Sequence, residues 1–216
     1  MNGMPTPQEA WDEMRRGNER FVAGAPRHPH QGADRRHELA TGQRPHATLF
    51  GCSDSRLAAE IIFDKGLGDL FVIRNVGQVI SESVVGSIEY AVEVLEVPLI
   101  VVLGHDECGA VAAAIESTQL DAPALAPQIW RQIAPIVPAA RRVIREQTVH
   151  GIRPEKVDPE LVGREHLRDT VSSLLNASEL ISLAVAEQRV GIVGANYRLA
   201  EGLAAPAISL GVSTDA

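Results

Sequence analysis

Three features of the sequence predict an α/β fold with a central, mostly parallel β-sheet of about four to five strands flanked by helices. Short continuous apolar runs, Ala47–Phe50, Leu70–Ile73 and Leu99–Leu103, alternate with stretches of helical periodicity. Such unbroken runs suit strands buried on both faces, as in parallel sheets. The first and third runs each end in a polar turn, Gly51-Cys52-Ser53-Asp54-Ser55-Arg56 and Gly104-His105-Asp106-Glu107-Cys108-Gly109. In open parallel sheets ligands bind beyond the carboxyl ends of the strands, where both turns fall.

Residues 7–22 predict an amphipathic helix, with Trp11, Met14 and Phe21 near one face. Thr6 is its N-cap, Pro7 its first helical residue and Glu9 the capping-box partner. Residues 24–46 form a long connection rich in Gly, Pro and His, with a short helix over 34–40. His28, His30, His37 and His46 lie in it without a fixed ligand spacing, which reads as scattered surface histidines. Strand 47–51 leads to a helix over 56–64, strand 70–74, helix 83–96, strand 99–103 and a small-residue helix over 108–117. A Pro- and Ala-rich loop spans 118–127. Helices fill 128–150, interrupted at Pro135 and Pro138, and 160–187. A fourth strand covers 189–195 and continues to Tyr197, a short one runs from Ala207 to Leu210, and 211–216 is expected to fray.

The length of 216 residues points to a single domain, 1–216. Residues 1–46 form an extended N-terminal helical arm and its connection, and 47–216 form the α/β core. No apolar run approaches the eighteen or so residues of a membrane helix, and residues 1–20 lack the pattern of a secretory signal. The expected setting is cytoplasmic. A net charge of −8 argues against a nucleic-acid surface. The basic cluster Arg141-Arg142-Val143-Ile144-Arg145 reads as the solvated face of a helix.

Both cysteines of the chain, Cys52 and Cys108, stand in the two polar turns. They could pair as a disulfide, but in a reducing compartment thiolates beside a histidine serve better as metal ligands. Cys52, His105 and Cys108 are thus candidate ligands of one zinc ion, whose preferred donors are thiolate sulfur and imidazole nitrogen. Asp54 is a possible fourth ligand, giving a closed site. Arg56 offers that carboxylate a bidentate partner and could hold it off the metal, leaving an open position.

Together, Cys52-Ser53-Asp54-Ser55-Arg56 and His105-Asp106-Glu107-Cys108 resemble the motifs of the β-class carbonic anhydrases. The likeness continues through Phe71-Val72-Ile73-Arg74-Asn75-Val76-Gly77 and Gly86-Ser87-Ile88-Glu89-Tyr90-Ala91-Val92. The resemblance implies reversible hydration of carbon dioxide to bicarbonate and a proton by zinc-bound hydroxide. It implies one zinc ion per subunit on Cys52, His105 and Cys108, with Asp54 and Arg56 as catalytic residues. Gln43, nine residues before the first cysteine, matches a substrate donor, and Phe71, Val76 and Tyr90 match apolar pocket positions. Arg74 and Tyr197 match two parts of a bicarbonate pocket whose Trp is here Leu49. A homodimer or homotetramer is implied, its N-terminal helix embracing a neighbour, with no nucleic acid and no membrane as partner. His28, His30 and His46 are proton-shuttle candidates by chemistry alone. Two alternatives stand beside this reading: a carbonyl sulfide or carbon disulfide hydrolase on the same scaffold, and a non-catalytic zinc domain closed by Asp54.

Overall fold

The computed structural model describes residues 4–149 and 156–214. Five strands, β1 (Ala47–Cys52), β2 (Leu70–Asn75), β3 (Leu99–His105), β4 (Gly191–Arg198) and β5 (Leu203–Leu210), form one sheet in the order β2-β1-β3-β4-β5. The β2–β1, β1–β3 and β3–β4 pairs are parallel, and only β5 runs antiparallel to its neighbour. β1 and β3 are buried at every position, as their unbroken apolar runs require. Alternation along β3 divides the core. Leu99, Val101 and Leu103 point into one cluster with Trp11, Met14, Phe63 and Ile136; Ile100 and Val102 point into another with Ile88, Leu167 and Ile181.

Nine α-helices are seen among the described residues: α1 (Pro7–Val22), α2 (Ala33–Glu38), α3 (Ala59–Ile62), α4 (Glu82–Glu93), α5 (Gly109–Glu116), α6 (Pro127–Ile133), α7 (Val137–Val149), α8 (Pro159–Ala177) and α9 (Glu179–Ala186). α1 has the expected bounds and the full capping box between Thr6 and Glu9. Its apolar face packs on the chain's own core, where Trp11 is only 1% exposed. Gly17 permits this docking, because a Cβ there would lie 1.9 Å from the Phe63 carbonyl oxygen. Asn18 is buried beside it with its amide fully used: Nδ2 donates to the Ile62 and Gly202 carbonyls, and Oδ1 accepts from Ala204 N–H.

Several boundaries differ from expectation. The helix expected over 56–64 shrinks to Ala59–Ile62, because Asp54 Oδ1 accepts Arg56 N–H and the Asp54 carbonyl accepts Leu57 N–H, winding 54–57 into a turn. The long helix expected over 160–187 breaks at Ser178, which is extended and caps α9 through its hydroxyl. Pro135 lies in a short 3-10 turn at 134–136, whereas Pro138 sits in the first turn of α7 and does not interrupt it. The last residue of that expected helix, 150, lies outside the described residues. β5 begins at Leu203, not Ala207, and carries Pro206 on the sheet edge where a missing N–H is tolerated. The tail is tied rather than frayed as far as Ser213, which exchanges two hydrogen bonds with the Gln8 side chain; residues 215–216 lie outside the described residues.

Asp64 fastens the N-terminal connection to this core. Its buried carboxylate accepts Arg20 Nε–H at 2.6 Å and the backbone N–H groups of Arg27 and His28. Burial works against the charge, but these donors outweigh it and hold the carboxyl below its ordinary range. A lowered folded pKa gives stability that is present above the unfolded value of about 4 and is lost as pH falls through the folded value. Asp64→Ala is therefore expected to cost about 1.5–3 kcal/mol near neutral pH. Urea unfolding should show that difference from wild type shrinking in acid.

Candidate metal centre

The site follows from strand order. The chain leaves β1 toward β2 on one side and returns as β3 on the other, so β1 and β3 are neighbours from which the chain departs in opposite directions. Their exit ends diverge into a crevice. Cys52 is the last residue of β1 and His105 the last of β3; Cys108 follows as the N-cap residue of α5. The Cys52 and Cys108 sulfurs and a His105 ring nitrogen lie within 4.8 Å of one another, and all three residues are buried. Both cysteines are free thiols.

His105 Nδ1–H donates to the Asp106 carbonyl at 2.7 Å, so in the neutral imidazole Nε2 is the nitrogen left to hold a metal. That Nε2 is buried and meets no hydrogen-bond partner. An orphaned imidazole nitrogen aimed at two buried sulfurs is the donor set a soft divalent cation requires.

The electrostatics agree. Cys108 donates to Cys52, which holds the Cys52 thiol well below the ordinary range, with further help from His105 and Gly77 N–H against the opposing effect of burial. The same contact, together with burial, pushes Cys108 up. One negative charge is therefore stable in the bare pair, and a second needs a cation between the sulfurs. Burial alone would lower the His105 pKa, but the adjacent Cys52 outweighs it and the net shift is upward.

Asp54 stands beside this cluster but turns to Arg56. Its Oδ1 accepts Arg56 N–H and Nε–H, both at 2.9 Å, and its Oδ2 accepts from Nη2 at 2.7 Å. Arg56 holds the carboxyl well below the usual carboxylate range. Arg56 Nη2 also donates to the Glu107 carbonyl, joining the two turns. Arg74 supports the first turn from β2, with Nε on the Cys52 carbonyl at 2.9 Å and Nη2 on the Asp54 carbonyl at 2.5 Å.

The other expected site residues are not gathered here by one chain. Gln43 is exposed in a shallow cleft with Arg36, Leu39 and Leu67. It precedes β1, whereas Cys52 ends it, so the six-residue strand separates them by roughly 20 Å. His28, His30 and His46 lie at that same entry end; His30 Nδ1 is 2.8 Å from Asp69. Phe71 and Tyr90 are in tilted ring contact at 6.2 Å on the open side of β2. Val76 and Tyr90 are 46% and 47% exposed, so among the described residues no apolar slot closes around them. Sequence reasoning missed Gly77, whose N–H reaches Cys52 Sγ at 3.4 Å, and the Glu107 carbonyl. Neither contact uses a distinctive side chain, so no residue type announced it.

Comparison with known proteins fits this geometry. A family model described as carbonic anhydrase matches residues 47–204. Carbonic anhydrase 2 of Mycobacterium tuberculosis is 48% identical over 200 residues, spanning 92% of this chain and 91% of that protein. A carbonic anhydrase of Mycolicibacterium smegmatis is 46% identical over 198 residues, covering 91% of each. Among solved structures, the β-carbonic anhydrase CafA of Aspergillus fumigatus superimposes with a TM-score of 0.67 at 27% identity, over 79% of each chain. A structure of two tetrameric β-carbonic anhydrases from Sordaria macrospora gives 0.66 at 26%, over 81% of this chain and 86% of that one.

The donor set predicts one tightly held zinc ion per chain, with Cys52→Ser and His105→Ala each losing tight binding. Chelator competition with metal analysis checks this; stoichiometric, wild-type affinity in either variant would place the metal elsewhere.

Proposed function

This chain belongs to the β-class carbonic anhydrases, a family of lyases, and from that premise we propose that it catalyses the reversible hydration of carbon dioxide to bicarbonate and a proton. One zinc ion on Cys52, His105 and Cys108 is the cofactor in this reading. The observation that carries it is the unpartnered His105 Nε2 facing two buried thiols while Asp54 is occupied by Arg56. Zinc, when bound, supplies a Lewis acid that lowers the pKa of water.

The chain's own residues supply the rest. Asp54, kept charged by Arg56, is acceptor-only, and its three bonds from Arg56 leave about one lone-pair site open. That site would accept the hydrogen of a hydroxyl placed beside Cys52, His105 and Cys108 once they hold zinc. Arg56 thereby keeps the carboxylate from becoming a fourth ligand, which argues against a non-catalytic domain closed by Asp54. Carbon dioxide is small and apolar, so an apolar slot is recognition enough, and Phe71, Val76 and Tyr90 would line it. Gln43 would donate to the substrate oxygen where charge develops. Because Gln43 lies at the far end of β1 in its own chain and the slot is open on one side, these roles call for a second subunit. The reading therefore includes a homodimer or homotetramer, in a cytoplasmic setting. Among the described residues no helix is long and apolar enough to cross a membrane.

The test is stopped-flow hydration of carbon dioxide alongside sulfide release from carbonyl sulfide. Hydration should dominate; rapid sulfide release without hydration would move the chain to the hydrolase reading. Two thiolates and a neutral imidazole cancel the +2 charge that three imidazoles leave intact. The hydration rate should therefore climb between about pH 6.5 and 9, and a flat profile would count against this donor set. Arg56→Ala should release Asp54 onto the metal and abolish hydration while zinc content stays near one per chain. Zinc loss in that variant would make Arg56 a residue of the fold instead.

A further inference from the structure

Behind Cys52 lies a second layer of contacts that runs to a distant helix. Gly77, in the short 3-10 turn that follows β2, gives its N–H to Cys52 Sγ at 3.4 Å. It does so in the left-handed region, at φ 76°, where no side chain fixes the backbone. A Cβ there would meet Ala110 and Ile136 at 2.9 Å. A glycine that aims a donor at a sulfur needs something else to hold it. The neck of the turn is clamped by Asn75, whose side chain accepts Val79 N–H and donates to the Val79 carbonyl. The Gly77 carbonyl is taken by His166 Nε2 at 2.7 Å, from α8 and 89 residues later in the chain. Thr170, one turn further along α8, gives its single hydroxyl hydrogen to the His166 carbonyl at 2.8 Å and lies 3.4 Å from that of Gln78.

We propose that His166 is a positioning residue of the metal centre: by donating to the Gly77 carbonyl it fixes the glycine whose N–H orients the Cys52 sulfur. The inference rests on the reading of Cys52 as a metal ligand. A carbonyl only accepts, so His166 carries its proton on Nε2. Its Nδ1 is then a bare acceptor, buried and without a partner. This side chain is only 3% exposed, and the bond from Nε2 to Gly77 is what offsets burying an unsatisfied ring nitrogen. Hydrogen bonds to a ligating sulfur tune its donor strength and direction, and partners of this kind govern metal affinity. His166 does this without touching the sulfur, through a single residue of backbone.

The test uses the full chain as wild type, His166→Phe, His166→Gln and Cys52→Ser. Zinc affinity is read by chelator competition, and the cobalt-substituted proteins by their thiolate-to-cobalt charge-transfer band. In metal-free protein the exchange rate of the Gly77 amide hydrogen is read by NMR. His166→Phe should bind zinc about 10–100-fold more weakly, with a shifted band, and should exchange the Gly77 amide at least about tenfold faster, as for a lost bond of the usual strength. His166→Gln, which keeps a donor, should recover most of each. Wild-type zinc affinity and Gly77 exchange in His166→Phe would overturn the proposal, as would a Gln variant no better than Phe. Should wild type and Cys52→Ser bind zinc equally poorly, the metal reading itself fails; the amide exchange still decides whether His166 holds Gly77.

Discussion

The adjacency of β1 and β3 is the constraint from which the rest of the molecule takes its meaning. Parallel pairing sets Gly51 opposite Leu103, so the two strands exit at the same level and on the same side of the sheet. Cys52 and His105 then meet without any sequence proximity, and the turn after β3 needs only three more residues to return Cys108 to the same point. A parallel sheet buried on both faces is stiff, and its registers are set by hydrophobic alternation; a slip of one residue would face Leu99 and Val101 to the wrong core. The donor geometry is thus inherited from packing that has nothing to do with metal. That is the economical way to hold soft ligands within 4.8 Å of one another.

Holding them there with both sulfurs charged would be unfavourable without a cation between them. Two buried sulfurs side by side share one charge comfortably and a second only with compensation, and the adjoining imidazole nitrogen has no partner at all. The surroundings moderate this frustration without removing it. Gly77 N–H reaches one sulfur, and Asp106 takes the other nitrogen of His105. Asp106 is itself placed by Leu199 N–H and gives its own N–H to the Tyr197 carbonyl, so β4 takes part in fixing the His105 tautomer. Arg74, which with Tyr197 matches two positions of a bicarbonate pocket whose Trp is here Leu49, directs its guanidinium to two carbonyls of the first turn.

What the sequence made legible were features repeated along the chain or concentrated in a motif. Buried strands announce themselves as unbroken apolar runs, the capping box of α1 as Thr6 and Glu9, and the metal turns as the chain's two cysteines near His105. Less legible was anything decided by one local hydrogen bond. The turn at Asp54 that shortens α3 and the break at Ser178 both come from polar side chains competing with helical bonds, in segments whose hydrophobic pattern continues past them. The early start of β5 at Leu203 was equally hidden, because edge position, which makes Pro206 tolerable inside the strand, is a property of the sheet and not of the segment. Gln43, Phe71, Val76 and Tyr90 carry no local sign of which chain's site they would complete. His166 was invisible for a related reason: its partner is a backbone carbonyl, and backbone partners leave no pattern in residue types.

The first turn combines a rigid backbone with a side chain held by one ion pair. Its carbonyls are pinned by Arg74, its Ser53 N–H by the Asn75 carbonyl, and its cysteine by Gly77. The Asp54 carboxylate alone is held by a residue that is itself half exposed. An exposed ion pair is usually worth little, because water competes for both partners. Here the pair is bidentate, reinforced by Arg56 N–H and anchored to the Glu107 carbonyl across the crevice. Its strength therefore depends on the two turns keeping their spacing. Widening the gap between the turns would loosen Arg56 from Glu107 and weaken its hold on Asp54, so the Asp54–Arg56 pair and the spacing of the β1 and β3 turns are one equilibrium rather than two.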